Sequence, residues 1–388
     1  MVERHSIQHQ PDVRFMSKKI AFTANTAWCL YNFRSAPILG LIREGYSLSI
    51  YAPRDVYTPK LEDIGCTVTD LPIDSRGTNP ITDFKTFLDY VRLFRRDRPD
   101  LVFNYTIKSV IYGSMAAKWL GIRNIAVVSG LGYTFINDDW RSAVSKRLYH
   151  WALRYPNEIW FLNHDDFGVF KDQGLIKGRT VRVLDGEGVD TEHFAPRERQ
   201  PADGPVTFLM ISRLYWDKGV REYVEAAAIV KQRYPEARFH ILGPLGDVSP
   251  SAVTPEQVKE WESKGWISHL GSTTDVRPYI ADSDCIVLPS YREGLSRSLM
   301  EAASMARPIL TTDVVGCREV VDHEVNGFLC RAMDSADLAD QMVRFLELGA
   351  EARREMGEAG RRKVLARFDV RDVVGMYQER VNALMSGD

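Results

Sequence analysis

Residues 287–302 read Val287-Leu288-Pro289-Ser290-Tyr291-Arg292-Glu293-Gly294-Leu295-Ser296-Arg297-Ser298-Leu299-Met300-Glu301-Ala302. The apolar run Cys285-Ile286-Val287-Leu288 stops at Pro289 and predicts a short buried strand. Tyr291 to Gly294 then predict a loop. A helix follows from Ser296 or Ser298, either of which has a side chain able to cap it, to about Ala306. Glu293 therefore stands just before a helix N-terminus, and Glu301 lies about two turns further on. Free amides and partial positive charge at such a start favour a bound phosphate. A carboxylate two turns along is placed to accept hydrogen bonds from ribose hydroxyls. Two isolated glutamates are ordinarily solvent-facing acids, so the surrounding sequence must give this pair its meaning.

Outward from that stretch, apolar runs alternate with helical periods along the whole chain. Strands are predicted at 19–23, 47–51, 66–70, 100–104 and 124–128, with helices at 31–44, 82–96 and 109–120 between them. Strand 157–162, a short helix 164–173 and strand 181–184 complete the first half. The pattern restarts with strands at 206–211 and 238–242, separated by a helix from Val220 to Tyr234. Such alternation means βαβ units and a parallel sheet, with ligands bound beyond the carboxyl ends of the strands. The 388 residues exceed one ordinary core, so two domains are expected. The polar segment 197–205, RERQPADGP, reads as the linker between domains 17–196 and 206–369. Residues 1–16 read as a polar tail, and a last helix at about 370–385 is expected to close the chain.

Composition narrows the function. The net charge is −2, which argues against a nucleic-acid binder. The first 200 residues carry 27 Lys+Arg against 23 Asp+Glu, a mildly basic half. Five scattered cysteines, with no C-x-x-C pair, predict reduced thiols and a cytoplasmic location. No apolar stretch approaches a membrane span, and no h-region marks a signal peptide. No G-x-G-x-x-G follows the first strand, which disfavours a nicotinamide or flavin enzyme. Asp282-Ser283-Asp284 spells D-x-D, but it precedes a buried strand and is read as helix-end structure. No His, Cys and Asp set has metal-ligand spacing, so no metal is expected.

Two basic stretches stand out. Residues 84–95 interleave Phe84, Phe87, Leu88 and Phe94 with Lys85, Arg92 and Arg95. Residues 140–155 interleave Trp140, Leu148, Trp151 and Tyr155 with Arg141, Lys146, Arg147 and Arg154. Such aromatics most often belong to a core. The functional alternative is a face resting on anionic lipid, with 140–155 the stronger candidate.

Glu293-x7-Glu301, with Gly294 after the first acid, resembles the signature of the retaining glycosyltransferases of family 4. Ser212-Arg213-Leu214-Tyr215-Trp216-Asp217-Lys218-Gly219 resembles the family's R-x4-K-G passage. Gly243 and 270–276 fit in order and spacing. Gly186-Glu187-Gly188-Val189-Asp190 resembles an N-G-V-D passage with Glu187 in place of Asn. Gly316-Cys317-Arg318-Glu319 resembles G-G-x-x-E with Cys317 for the second Gly. The match spans nearly all of 206–330. In the first half, Tyr105-Thr106-Ile107-Lys108, Tyr112-Gly113-Ser114 and Ser129-Gly130-Leu131-Gly132 look like the bacterial branch that acts on polyprenyl-diphosphate-linked sugars. Many relatives carry a His where this chain has Ile107.

The resemblance implies an α/β GT-B fold, two Rossmann-like domains facing a central cleft. It implies a UDP-sugar donor held by Arg213, Lys218, Gly243, Leu270, Gly271, Glu293, Gly294, Leu295, Ser296 and Glu301. Glu293, Arg213 and Lys218 would carry catalysis, with the amides of Gly294 to Ser296 facing the diphosphate. Asn25, Arg34, Lys108 and Gly130 are the acceptor-side candidates, for a lipid-linked sugar at the cytoplasmic face of a membrane. The sugar best matched is N-acetylgalactosamine, and no cofactor is implied. Three rivals share the architecture: a non-hydrolysing UDP-sugar 2-epimerase, a non-catalytic nucleotide- or lipid-binding partner, and a pyridoxal-phosphate phosphorylase. The first needs an acid/base pair that the first half does not present, and the last needs a lysine passage that is not recognisable.

Overall fold

The computed structural model describes residues 18–74, 77, 79–130, 140–197, 204–246 and 251–386. The side chains of 140–145 lie outside that description, as do the tail 1–16, Leu131, Gly132 and most of the linker.

The first domain runs β1 (Lys19–Thr23), α1 (Ala27–Arg43), β2 (Ser47–Ala52), α2 (Thr58–Asp63), β3 (Thr67–Asp70), α3 (Pro80–Asp97) and β4 (Leu101–Tyr105). It continues with a π-turn (Ser109–Gly113), α4 (Ser114–Trp119), β5 (Arg123–Val128), α5 (Trp140–Ala152), β6 (Glu158–Phe161), α6 (His164–Asp172) and β7 (Thr180–Val183). The seven strands are all parallel, in the order β3-β2-β1-β4-β5-β6-β7.

The second domain repeats the plan with β8 (Thr207–Ile211), α7 (Val220–Arg233), β9 (Arg238–Leu242), α8 (Pro255–Ser263), β10 (Ser268–His269), α9 (Arg277–Asp282), β11 (Cys285–Leu288), α10 (Arg297–Ser304), β12 (Ile309–Thr312) and β13 (Gly327–Cys330). Its six parallel strands run β10-β9-β8-β11-β12-β13. Three helices follow: α11 (Ser335–Glu347), α12 (Ala350–Arg367) and α13 (Val370–Ser386). Strand order reverses between β1 and β4 and between β8 and β11. The loops after those four strands border the crevices where such sheets bind ligands.

The central strands read as near-continuous apolar runs because helices cover both faces. Cys285, Ile286, Val287 and Leu288 of β11 are all buried, in a core that extends from Phe208 and Ile241 to Met342 and Phe345. The first domain's core contains a residue from the far end of the chain. Tyr377 of α13 packs against Phe22, Phe103 and Trp160, with ring centroids 4.9–6.4 Å apart, and its hydroxyl lies 2.8 Å from that of Tyr105. Aromatic pairs of this kind each add roughly 0.5–1.5 kcal/mol beyond burial. The closing helix thus ties the second domain to the first.

Three local readings change. The first helix begins at Ala27, not near Tyr31, because the Thr26 side chain accepts from the Cys29 amide at 3.1 Å and caps it. The expected helix 109–120 opens as a π-turn where Gly113 backs onto Asn104; a Cβ there would meet the Asn104 amide oxygen at 2.2 Å. At α10 neither Ser296 nor Ser298 caps the helix with its side chain. Asp282 ends α9, and Asp284 accepts from the Thr207 amide at 2.8 Å, so the D-x-D run is structural.

Candidate active site

On the second-domain side, three loops are knitted into one surface. After β8 the chain makes a short 3-10 turn, Trp216–Lys218, and Gly219 follows with φ +74°. A Cβ on Gly219 would meet the Pro289 carbonyl oxygen at 2.0 Å, so only glycine lets the two loops touch. Tyr291 donates its amide to the Asp217 carbonyl at 2.9 Å, and the Ser290 hydroxyl donates to the same oxygen at 3.2 Å. This contact sets Lys218 beside Glu293, Nζ to Oε1 2.7 Å, with both side chains 18% exposed. Gly316, at φ +80°, presses its backbone on Glu293; a Cβ would lie 2.4 Å from the Glu293 carbonyl oxygen. Val315 accepts from the Glu293 amide at 2.9 Å. Beneath the pair, burial and the Glu293 charge push the Cys317 thiol up to about 12, so it is a neutral packing group.

The other donor-side residues divide. Arg213 is exposed, its guanidinium 5.2 Å from the Tyr215 ring. The Gly243 amide donates to the Gly271 carbonyl at 2.7 Å, and Leu270 donates to Ile241 at 2.8 Å. His269 Nε2 lies 2.9 Å from the Gly243 carbonyl oxygen and so carries the proton. These bonds join the loops after β9 and β10. Glu301 is buried on α10 and receives Arg297 Nε at 2.7 Å. Burial raises its pKa, against the opposing effect of Arg297. Leu295 turns toward the interdomain loop, where a Cβ on Gly186 would meet its Cδ2 at 2.1 Å.

One expectation needs correction. Of the three amides from Gly294 to Ser296, that of Ser296 already donates to the Gly316 carbonyl at 2.8 Å. The amides of Gly294, Leu295, Arg297 and Ser298 have no acceptor among the described residues. The donor-rich helix start is therefore shifted toward α10 itself.

Across the cleft, Gly130 faces Gly294: a Cβ on Gly130 would lie 3.9 Å from the Gly294 Cα, and one on Gly294 would lie 2.7 Å from the Ser129 carbonyl oxygen. Asn163 donates to the Gly294 carbonyl at 2.7 Å and also holds Asp166 at 3.0 Å. Arg292 pairs with the buried Asp166, and Arg318 reaches Asp165 at 3.3 Å. Burial raises the Asp166 carboxyl, with Arg292 opposing. The glutamate loop is thus clamped to the start of α6, in the other domain. Nothing in the sequence pattern pointed to Asn163, Asp166 or Arg292.

The first-domain candidates are not alike. The Asn25 amide donates to Thr106 Oγ1 at 3.2 Å. Thr106 sits at φ +67°, a conformation that costs a β-branched residue of order 1–3 kcal/mol and marks a turn held by its surroundings. Lys108 follows, its Nζ 2.5 Å from Asp83 Oδ1, while the Tyr112 hydroxyl donates to the other oxygen at 2.9 Å. Arg34 is fully buried, with Glu187 Oε1 at 2.6 Å and the Tyr105 ring at 4.6 Å. Burial would lower its pKa, but the Glu187 charge outweighs that and raises it. Arg34 therefore serves the interdomain joint rather than an open surface. Glu187 stands where the resemblance expected Asn because α1 supplies a buried cation for it to neutralise. Among the described residues no group of His, Cys, Asp and Glu has the makings of a metal site.

Residues 19–163 match the family described as glycosyl transferase 4-like, and residues 205–348 match glycosyl transferases group 1. The chain belongs to these glycosyltransferases. It is 27% identical over 345 residues to N,N'-diacetylbacillosaminyl-diphospho-undecaprenol alpha-1,3-N-acetylgalactosaminyltransferase of Campylobacter jejuni, covering 85% of this chain and 89% of that one. It is 24% identical over 292 residues to UDP-Gal:alpha-D-GlcNAc-diphosphoundecaprenol alpha-1,3-galactosyltransferase of Escherichia coli, covering 71% and 73%. Among solved structures, Anabaena HepE in complex with UDP-glucose superimposes with a TM-score of 0.77 at 18% identity, over 94% of this chain and 99% of the other. Sucrose-phosphate synthase of Thermosynechococcus elongatus gives 0.79 at 16%, over 96% and 100%. These likenesses place the fold as GT-B. The family makes the chain a hexosyltransferase rather than an epimerase or a phosphorylase.

Proposed function

We propose that this enzyme transfers a hexose or N-acetylhexosamine from a UDP-sugar to a polyprenyl-diphosphate-linked sugar, with retention at the anomeric carbon. The observation that carries the reading is the Lys218–Glu293 pair, 2.7 Å apart beside a helix start with free amides. The activities that name the Campylobacter and Escherichia relatives support the acceptor class and favour N-acetylgalactosamine or galactose as the sugar.

In this reading the bond from the anomeric carbon to the β-phosphate oxygen breaks, and UDP leaves with the bonding electrons. Lys218, Arg213 and the α10 amides stabilise the charge that develops on the phosphate. Removal of one preorganised donor of this kind costs roughly 10²–10³ in rate. Glu293 orients Lys218 before the donor binds, then meets the donor sugar's hydroxyls and balances positive charge at the reacting carbon. Glu301 takes the ribose hydroxyls in exchange for Arg297. The acceptor hydroxyl forms the new bond on the same face and passes its proton to the departing phosphate oxygen. Asn25, Lys108 and Gly130 border the acceptor side. The cations supply the charge that a metal would otherwise bring, so EDTA is expected to leave turnover unchanged. Membrane-peripheral action at the cytoplasmic face belongs to the same reading.

The test is a donor panel. Purified protein is incubated with each common UDP- and GDP-sugar and a short-chain polyprenyl-diphosphate-linked sugar, and nucleotide release is followed with and without EDTA. Release from one UDP-sugar that requires the acceptor and ignores EDTA supports the reading. UDP-sugar isomerised without acceptor contradicts it.

A further inference from the structure

Helix α3 shows solvent an unusual face. Its exposed positions are Pro80, Ile81, Phe84, Lys85, Leu88, Arg92, Arg95 and Arg96, and none is acidic. From Ile81 onward they fall on one stripe about a third of the helix circumference wide, by the 3.6-residue period. The first turns of the stripe are apolar, with Ile81 81%, Phe84 61% and Leu88 44% exposed. Beside them Trp119, 62% exposed, stacks on Phe87 at 5.8 Å, and Phe87 in turn meets Phe84 at 6.3 Å. The later turns are cationic, and Lys118 adds another exposed charge next to Trp119. Lys85, Arg92 and Arg95 have no ion-pair partner among the described residues. Of the helix's own carboxylates, Asp83 holds Lys108 and Tyr112, Asp97 binds Tyr51 and Arg96, and the half-buried Asp89 borders the stripe beside Lys85.

We propose that this stripe, with Trp119, is the face on which the enzyme sits on an anionic lipid bilayer. Exposed aromatic and branched side chains in one cluster mark a surface that is covered in use. Cations run on from that cluster with no acid at a fully exposed position among them, and Lys85, Arg92 and Arg95 outnumber the half-buried Asp89 at the edge, so the stripe selects a negatively charged occupant. Apolar groups that enter the headgroup boundary, with lysines and arginines reaching phosphates around them, form the pattern of an interfacial helix. The stretch 140–155 is the lesser candidate: Tyr149 is buried, Leu148 packs on the core, and Trp151 is the exposed aromatic among its described side chains. The position of the stripe matters for chemistry. Its apolar end carries Asp83, which grips Lys108 in the loop after β4, so the membrane seat adjoins the acceptor side of the cleft. The inference rests on the lipid-linked acceptor reading and names the surface that would present that lipid.

The test is co-sedimentation of the full chain with vesicles of phosphatidylglycerol and phosphatidylcholine, and with pure phosphatidylcholine. Transfer to a short-chain, water-soluble acceptor is followed in parallel. Wild type should bind the anionic vesicles and release them at high salt. Lys85→Glu/Arg92→Glu should bind more than tenfold more weakly, at roughly fivefold per cation removed. Phe84→Ser/Trp119→Ser should also lose binding while keeping its melting temperature and its transfer to the soluble acceptor. Three results overturn the inference: wild-type binding to neutral vesicles as strong as to anionic ones, variants that sediment like wild type, or a stripe whose substitution abolishes self-association instead. Soluble-acceptor transfer without vesicle binding overturns the membrane seat alone. Vesicle binding with no transfer to any acceptor leaves the seat standing and sinks the proposed reaction.

Discussion

The ammonium of Lys218 lies 2.7 Å from the carboxylate of Glu293, although 75 residues separate them in sequence. The pair exists because Gly219 lets the loop after β8 touch Pro289, and because Gly316 supports Glu293 from behind. Each partner holds the other in place. Lys218→Met is expected to lower kcat by roughly 10²–10³. Glu293→Gln should also lower kcat, and by more than it raises the donor KM. Steady-state nucleotide release with the preferred donor measures both; a change confined to KM would contradict the assignment.

Gly316→Ala tests the support behind Glu293. The substitution adds a methyl group at φ +80° against the Glu293 backbone. A displacement near 1 Å in a positioning element costs about 10² in rate. Activity should fall on that scale, while circular dichroism shows an intact fold. Unchanged kcat would show that the contact does not position Glu293.

Arg34 and Glu187 make a different kind of pair. Both are shielded from water, and removing one partner leaves the other charge stranded. Glu187→Ala is expected to lose roughly 3–5 kcal/mol of stability in urea unfolding, whereas the double substitution Arg34→Met/Glu187→Leu should recover most of it. Equal losses in the single and double variants would contradict a coupled pair.

Asp369 closes the joint where the chain enters α13. Thr191 Oγ1 donates to it at 2.5 Å and Arg371 lies at 2.7 Å. Burial pushes its carboxyl up, but the hydrogen bonds from Arg371 and Thr191 outweigh that and hold it at about 2. An unfolded aspartate titrates near ~3.9. A depressed folded pKa means stability that is complete above the unfolded value and lost as pH falls toward the folded one. Asp369→Asn should therefore be less stable than wild type at pH 7 by roughly 1.5–3 kcal/mol, a difference that shrinks between about pH 4 and pH 2. Thermal melts across that range measure it; a pH-independent gap would contradict the charge argument.

The passages proposed for the donor side were legible because each is short and has fixed spacing. Arg213 and Lys218 flank one turn, and Glu293 and Glu301 frame one helix start. The alternation of apolar runs and helical periods was enough for two parallel sheets. What the sequence hid depends on distant partners. Arg34 looks like an acceptor-side base in the sequence because its partner, Glu187, lies 153 residues away. The Ser296 amide is consumed by Gly316, a tertiary bond with no local signal. Thr106 adopts a left-handed conformation that its residue type disfavours, so composition pointed the other way. Asn163 and Asp166 clamp the glutamate loop from the other domain, and only the packed pair of domains brings them there.

The most direct test of the central claim is the structure of the reaction product. The enzyme is given UDP-N-acetylgalactosamine, and separately UDP-galactose, with a short-chain polyprenyl-diphosphate-linked sugar, and the purified product is examined by mass spectrometry and proton NMR. The account predicts one added sugar from one of the two donors, α-linked as in the donor, and no product from Glu293→Gln over the same interval. A β-linked product, or free sugar released with the acceptor untouched, would contradict it.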